Sequence, residues 1–171
     1  LREDASLELL PPALLAFYGR VAAEAQDDQE FNRWLAFTNE TTQQFSEYWS
    51  ALGTFLMLQG KQKSAARGLI EALDRDPTDL RSVGRLRSLL ETLGRGSEAA
   101  VWKERWETLR RILRINNQIA DAVTPDTEAM SRLAGELESV GRRLEANLWR
   151  LMAAHYQQLP REEMQQINSV F

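Results

Sequence analysis

Residues 49–77 read W-S-A-L-G-T-F-L-M-L-Q-G-K-Q-K-S-A-A-R-G-L-I-E-A-L-D-R-D-P. Two apolar-periodic runs flank a break at Gly60-Lys61-Gln62-Lys63, and the second run stops at Asp76-Pro77. Apolar residues three and four apart share one face of a helix. Gly60 suits the left-handed backbone that ends a helix, and Pro77 disfavours helical backbone at Asp76. The stretch predicts one antiparallel helix pair with both ends marked.

Helix signals continue on either side. Leu10-Pro11-Pro12 opens a helix to about Gln26, with Leu14, Leu15, Tyr18, Val21 and Ala22 on one face. Asp27-Asp28 breaks it and caps a second, striped by Phe31, Trp34, Leu35 and Thr38. Ser46 is the expected cap of a third, carrying Trp49, Leu52, Phe55 and Leu56. A fourth starts near Lys63 or Ser64, with Ala65, Leu69, Ile70 and Ala72 apolar. A fifth spans about Leu80 to Leu93 and ends at Gly94-Arg95-Gly96. Ser97 is the expected cap of a sixth, whose apolar face runs Ala99, Ala100, Trp102, Trp106, Leu109, Ile112 and Leu113. No Pro stops it before Pro125, and the sequence leaves open whether it runs unbroken past Arg114 through Ile115, Ile119 and Val123. Asp126 caps a seventh with Met130, Leu133, Leu137 and Val140, stopped by Gly141. The eighth carries Leu144, Ala146, Leu148, Trp149, Met152, Ala153 and Tyr156, and Leu159-Pro160 starts a short terminal helix. Strand-type alternation is absent, so the class is all-α.

The pairs superimpose. Leu90 to Trp102 matches Leu137 to Trp149, with Leu, Glu, Gly, Arg, Glu, Ala and Trp recurring in register. Leu56, Gly60 and Ala65 have the spacing of Leu90, Gly94 and Ala99, a period of 34 residues (90 − 56). The next step is 47 (137 − 90), so about 13 extra residues precede the last unit.

With Trp49, Leu52, Gly53, Gly60, Ala65, Ala72 and Pro77 in one unit, the chain resembles the tetratricopeptide repeat family. The pattern has a physical reading. Gly53 and Ala65 let paired helices approach, Trp49 fills between them, Ala72 lets the next unit dock and Pro77 ends the repeat. The resemblance implies a right-handed α-α superhelix of antiparallel helix pairs. Repeats fall at about 46–79, 80–113 and 127–160, with Gly94, Ala99, Gly141 and Ala146 kept in the later ones. Residues 1–45 fit only weakly, through Tyr18, Gly19 and Ala22, and are expected as a degenerate repeat or cap; 161–171 is expected as a terminal capping helix. More loosely, the order from Tyr48 through Trp149 resembles repeat regions of bacterial multidomain secreted or envelope proteins.

In this family ligands occupy the groove lined by the first helix of each pair. The resemblance places Ser50, Thr54 and Met57 there, then Arg81, Arg85, Ser88 and Glu91, then Ser131, Arg132, Gly135 and Glu138. The family's carboxylate-clamp members need Lys and Asn where this chain has Ser50, Thr54 and Glu128, so that role is not expected.

Composition narrows the remaining choices. The chain has 171 residues, no Cys and a net charge of −4. Disulfides and thiolate metal sites are excluded, and nucleic-acid binding by the whole chain is disfavoured. Nine basic residues against four acids between Arg81 and Arg114 still leave an acidic peptide, or less readily an anionic polymer, open as a partner. The single His, His155, is expected as a packing side chain and builds no metal site; no phosphate loop or nucleophile motif is present. No enzyme, cofactor or metal is expected, and no apolar run is long enough for membrane insertion. The start Leu1-Arg2-Glu3-Asp4 suggests a fragment of a longer protein, so the compartment stays open. The expected function is a non-catalytic protein-interaction scaffold; the alternative is a structural spacer or self-association module, including a homodimer.

Overall fold

The computed structural model describes residues 7–158, and the expected terminal helix after Leu159 lies outside them. The described residues fold into α-helices and one short 3₁₀ turn. The helices are α1 Pro12–Glu24, α2 Asp28–Phe37, α3 Ser46–Leu58, α4 Gln62–Arg75, α5 Leu80–Thr92, α6 Gly96–Ala120, α7 Thr127–Ser139 and α8 Arg143–Gln158, with the 3₁₀ turn at Thr42–Gln44. The sixth helix, whose course past Arg114 the sequence leaves open, runs unbroken to Ala120 and leaves Val123 outside it and exposed.

Caps follow the sequence in part. Asp27 accepts the Glu30 amide at 2.9 Å and Asp126 accepts that of Ala129 at 2.8 Å. Ser46 and Ser97 are not caps: each lies inside its helix, and Ser46 instead donates to the adjacent Glu47 carboxylate. Short polar side chains compete for several local partners, so a Ser before an apolar run is a weak boundary marker.

The turns between paired helices recur. Gly60, Gly94 and Gly141 have φ of 72°, 69° and 87°. The amide after each glycine reaches back to the helix: Lys61 to Leu56 O, Arg95 to Leu90 O and Arg142 to Leu137 O, each 2.9 Å. This is the glycine C-terminal motif, in which a left-handed residue satisfies the last carbonyls. Residues 22–27 make the same turn without glycine. Gln26 has φ 56°, and the Asp27 amide meets Ala22 O at 3.2 Å. The sequence fit there is weak because the diagnostic glycine is missing.

The chain divides into two compact units, 1–104 and 105–171. In the first, α1 packs against α2 and α3, α3 against α4, and α4 against α5. Its main core is aromatic. Phe31 and Trp34 are fully buried, Phe31 stacks on Phe55 with ring centroids 3.9 Å apart, and Trp34 donates its indole N–H to Leu15 O at 2.7 Å. Glycines admit this packing. A Cβ on Gly19 would fall 2.1 Å from the Trp34 ring, and one on Gly68 would fall 3.0 Å from Gly53 Cα. Both pairs occupy the same places in the 34-residue register, since 53 − 19 and 68 − 34 are both 34. One pair interlocks glycine with tryptophan, and the other brings two backbones together.

In the second unit, Ile112, Ile115 and Ile119 of α6 and Trp149 of α8 pack on Leu133, Ala134, Leu137 and Ala146. The structure buries fewer apolar residues of α1 and α8 than the sequence suggested. Of the residues expected on the apolar faces, Leu14 and Val21 remain 55% and 51% exposed, and Leu144, Leu148 and Met152 remain 75%, 52% and 41% exposed; Phe17 and Leu151, outside those expected faces, are exposed as well. These helices carry apolar residues on more than one face, so periodicity alone did not choose the packed face.

Candidate functional site

The face expected to line a groove in the first unit is a polar seam across α1, α3 and α5. Its centre is Asp79, the residue that caps α5. Asp79 Oδ1 accepts Arg20 Nη2 at 2.8 Å and the Arg81 amide at 3.2 Å; Oδ2 accepts Ser82 Oγ at 2.6 Å and Ser50 Oγ at 3.4 Å. The two serine hydroxyls are 2.8 Å apart. Burial alone would raise the Asp79 pKa, but the Ser82 hydroxyl, the Arg20 guanidinium and the Arg81 amide outweigh it and hold the carboxyl below its usual range.

Glu24 of α1 completes the seam. It pairs with Arg81, with Arg20 at 3.4 Å and with Arg85 at 3.6 Å. Its pKa is lowered although burial opposes the shift, because these guanidiniums favour the charged form. Burial pushes Arg85 below its ordinary value, with Glu24 acting against it. Three guanidiniums against two carboxylates leave one net positive charge, so most of the cationic character read from Arg81 and Arg85 is neutralised within the fold.

The seam redistributes the expected groove residues. Ser50 and Thr54 are buried, at 0% and 3% exposure, and Thr54 donates to Ser50 O at 2.6 Å, so neither lines an open surface. Met57 and Arg85 are half-buried; Arg81, Ser88 and Glu91 are exposed. Sequence reading missed Glu24, Arg20 and Asp79 as partners of these residues. Only the Asp79–Ser82 spacing, an acid followed by a hydroxyl three residues into a helix, hinted at the cluster.

Clefts open among the described residues of the second unit. One, of about 590 Å³, lies between α6 and α7 and is lined by Arg111, Arg114, Ile115, Gln118, Arg132, Gly135 and Glu136. Of the expected residues it contains Arg132 and Gly135 but not Glu138, which pairs with Arg150 of α8. Arg111 grips Glu136 through Nε at 2.9 Å and Nη2 at 3.3 Å. Arg132 reaches Gln118 Oε1 at 3.4 Å, and Gln118 in turn donates to Asp126 at 2.8 Å. The second cleft, about 530 Å³, is mostly apolar, with Ile119, Val123, Pro125, Met130, Trp149, Met152 and Tyr156 among its walls.

Aromatic residues elsewhere are mostly structural. The half-buried Trp49 donates to Gln43 O at 2.7 Å and has the Arg75 guanidinium 5.1 Å from its ring centre. Trp106 carries the Arg110 guanidinium at 4.6 Å. His155, expected to pack, is exposed beside Tyr156. Among the described residues no group of three or more His, Asp or Glu is placed to hold a metal, and no helix is long and apolar enough to cross a membrane. No protein-family model matches the chain, and a search of curated proteins finds no match.

Proposed function

We propose that this chain is a tetratricopeptide-type interaction scaffold, non-catalytic and part of a larger bacterial protein, that binds a peptide or a neighbouring domain. The recurrence of one hairpin turn at residues 26, 60, 94 and 141, in steps of 34, 34 and 47, carries this reading. Arrays built from repeated helix pairs serve recognition. The test is fluorescence anisotropy with a panel of labelled peptides of equal length but acidic, basic or neutral composition. Saturable micromolar binding of at least one class is expected. Absence of saturable binding across the panel would overturn peptide recognition.

A second reading, a spacer that associates with itself, is favoured by the exposed leucines of α8. Leu144, Leu148 and Leu151 recur at steps of four and three, the spacing of a helix–helix seam. Light scattering after size exclusion decides it: a concentration-dependent dimer that Leu148→Glu disperses supports the spacer, and a monomer at the highest soluble concentration rejects it.

A further inference from the structure

We propose that the cleft between α6 and α7 is the peptide site of the scaffold, and that it selects a segment carrying acidic side chains. This rests on the scaffold reading above. Charge carries the argument. Three guanidiniums, Arg111, Arg114 and Arg132, line it with one carboxylate, Glu136; Asp126 lies just behind Gln118, so one net positive charge remains, and it is carried by guanidiniums without a direct ion pair. Glu136 is already held by both ends of the Arg111 fork. Arg114 and Arg132 make no direct ion pair among the described residues; Arg132 has a long hydrogen bond to the neutral Gln118 amide and feels the Asp126 carboxylate only at longer range. They contrast with Arg20, Arg81 and Arg85, which share Glu24 and Asp79 across the first-unit seam.

The walls suit a peptide. Ile115 supplies an apolar surface, and a Cβ on Gly135 would meet nothing within 4 Å. The cleft therefore has room for a backbone to pass at Gly135. A guanidinium recognises a carboxylate through paired N–H donors, and Arg114 and Arg132 lie on different helices. Two acidic side chains with an apolar residue between them fit this arrangement. A polyphosphate is a weaker fit, because the chain is acidic overall at net charge −4 and the cleft has no stacking platform among its lining residues.

The probe is a labelled peptide of alternating Glu and Leu, titrated against the full chain by anisotropy, with the Gln-Leu peptide and single-stranded DNA as comparators. Saturable binding of the Glu peptide alone is expected, weakening as salt rises from about 0.05 to about 0.3 M. Arg114→Glu and Arg132→Glu should each lower affinity about tenfold or more. Gly135→Trp should block binding sterically, with unchanged helical circular dichroism for all three variants. Equal binding of the Gln peptide, preference for DNA, or unchanged affinity in both arginine variants overturns the assignment. If another peptide of the panel binds while the Glu peptide does not, this cleft assignment fails and the scaffold stands. If no peptide binds, both fail.

Discussion

Gln26 holds φ 56° at the turn position where the other three pairs have glycine. A left-handed backbone strains a residue with a Cβ by about 1–2 kcal/mol, partly offset by glycine's greater freedom when unfolded. Gln26→Gly should therefore stabilise the protein by about 0.5–1 kcal/mol, and Gly141→Ala should destabilise it by about 1 kcal/mol. Urea denaturation reads both, and a loss of stability in Gln26→Gly would contradict the strain. Gly19 acts differently, through space rather than φ. Because its Cβ would sit 2.1 Å from a fully buried indole, Gly19→Ala should cost about 2–3 kcal/mol, whereas Gly135→Ala, facing open space, should cost far less. Glycines with positive φ were legible in the sequence because each sits between two apolar-periodic runs. Gly68 was not. It lies in the middle of α4, where glycine weakens a helix, and its purpose appears only when Gly53 of α3 comes against it.

At the scale of elements, helix order and most boundaries follow from local signals such as Asp27, Asp126 and Pro77, which act within a few residues. Polar partnerships between helices do not. Asp79 and Arg20 are 59 positions apart, and Ser50 and Thr54 read as groove residues because hydroxyls are compatible with either a wet surface or a satisfied interior. Asp79 ties α1, α3 and α5 together, and its charge makes that tie sensitive to pH. Its folded pKa lies below the ordinary value of 3.8, so its contribution is complete above that value and is lost as pH falls through the lower folded value. Asp79→Asn should cost about 2 kcal/mol at neutral pH, since the Arg20 guanidinium, only 17% exposed, loses its shorter ion pair and keeps only Glu24 at 3.4 Å. Stability measured by denaturant at successive pH values should show wild type and variant converging in acid. Parallel curves down to the lowest pH would show that Asp79 is not charged in the fold or that its charge contributes nothing.

For the whole molecule, the two compact units differ in what they bury. The first has Phe31, Trp34, Tyr48 and Phe55 in a continuous cluster, with ring centroids 3.9–5.4 Å apart along it. The second clusters Leu133, Ala134, Leu137 and Ala146 under three partly covered isoleucines and Trp149, and also buries Leu109 and Met130. Fully buried aromatic side chains each contribute several kcal/mol to stability, more than the leucines and alanines that fill the second unit. Stability is then unequal along the chain, and opening of the second unit should require less free energy than opening of the first. Amide exchange followed by mass spectrometry tests this directly. Peptides covering α7 and the first two turns of α8 should exchange well before those covering α1 and α3. Trp34→Phe should accelerate exchange in α1 to α3 without a comparable change in α7. The reverse order, or one uniform rate throughout, would mean that core composition does not set the order of opening. The expected order also bears on recognition, because the cleft at Arg114 and Arg132 belongs to the more weakly packed unit. A peptide bound there should slow exchange most strongly in α7, by adding contacts where the protein has fewest of its own.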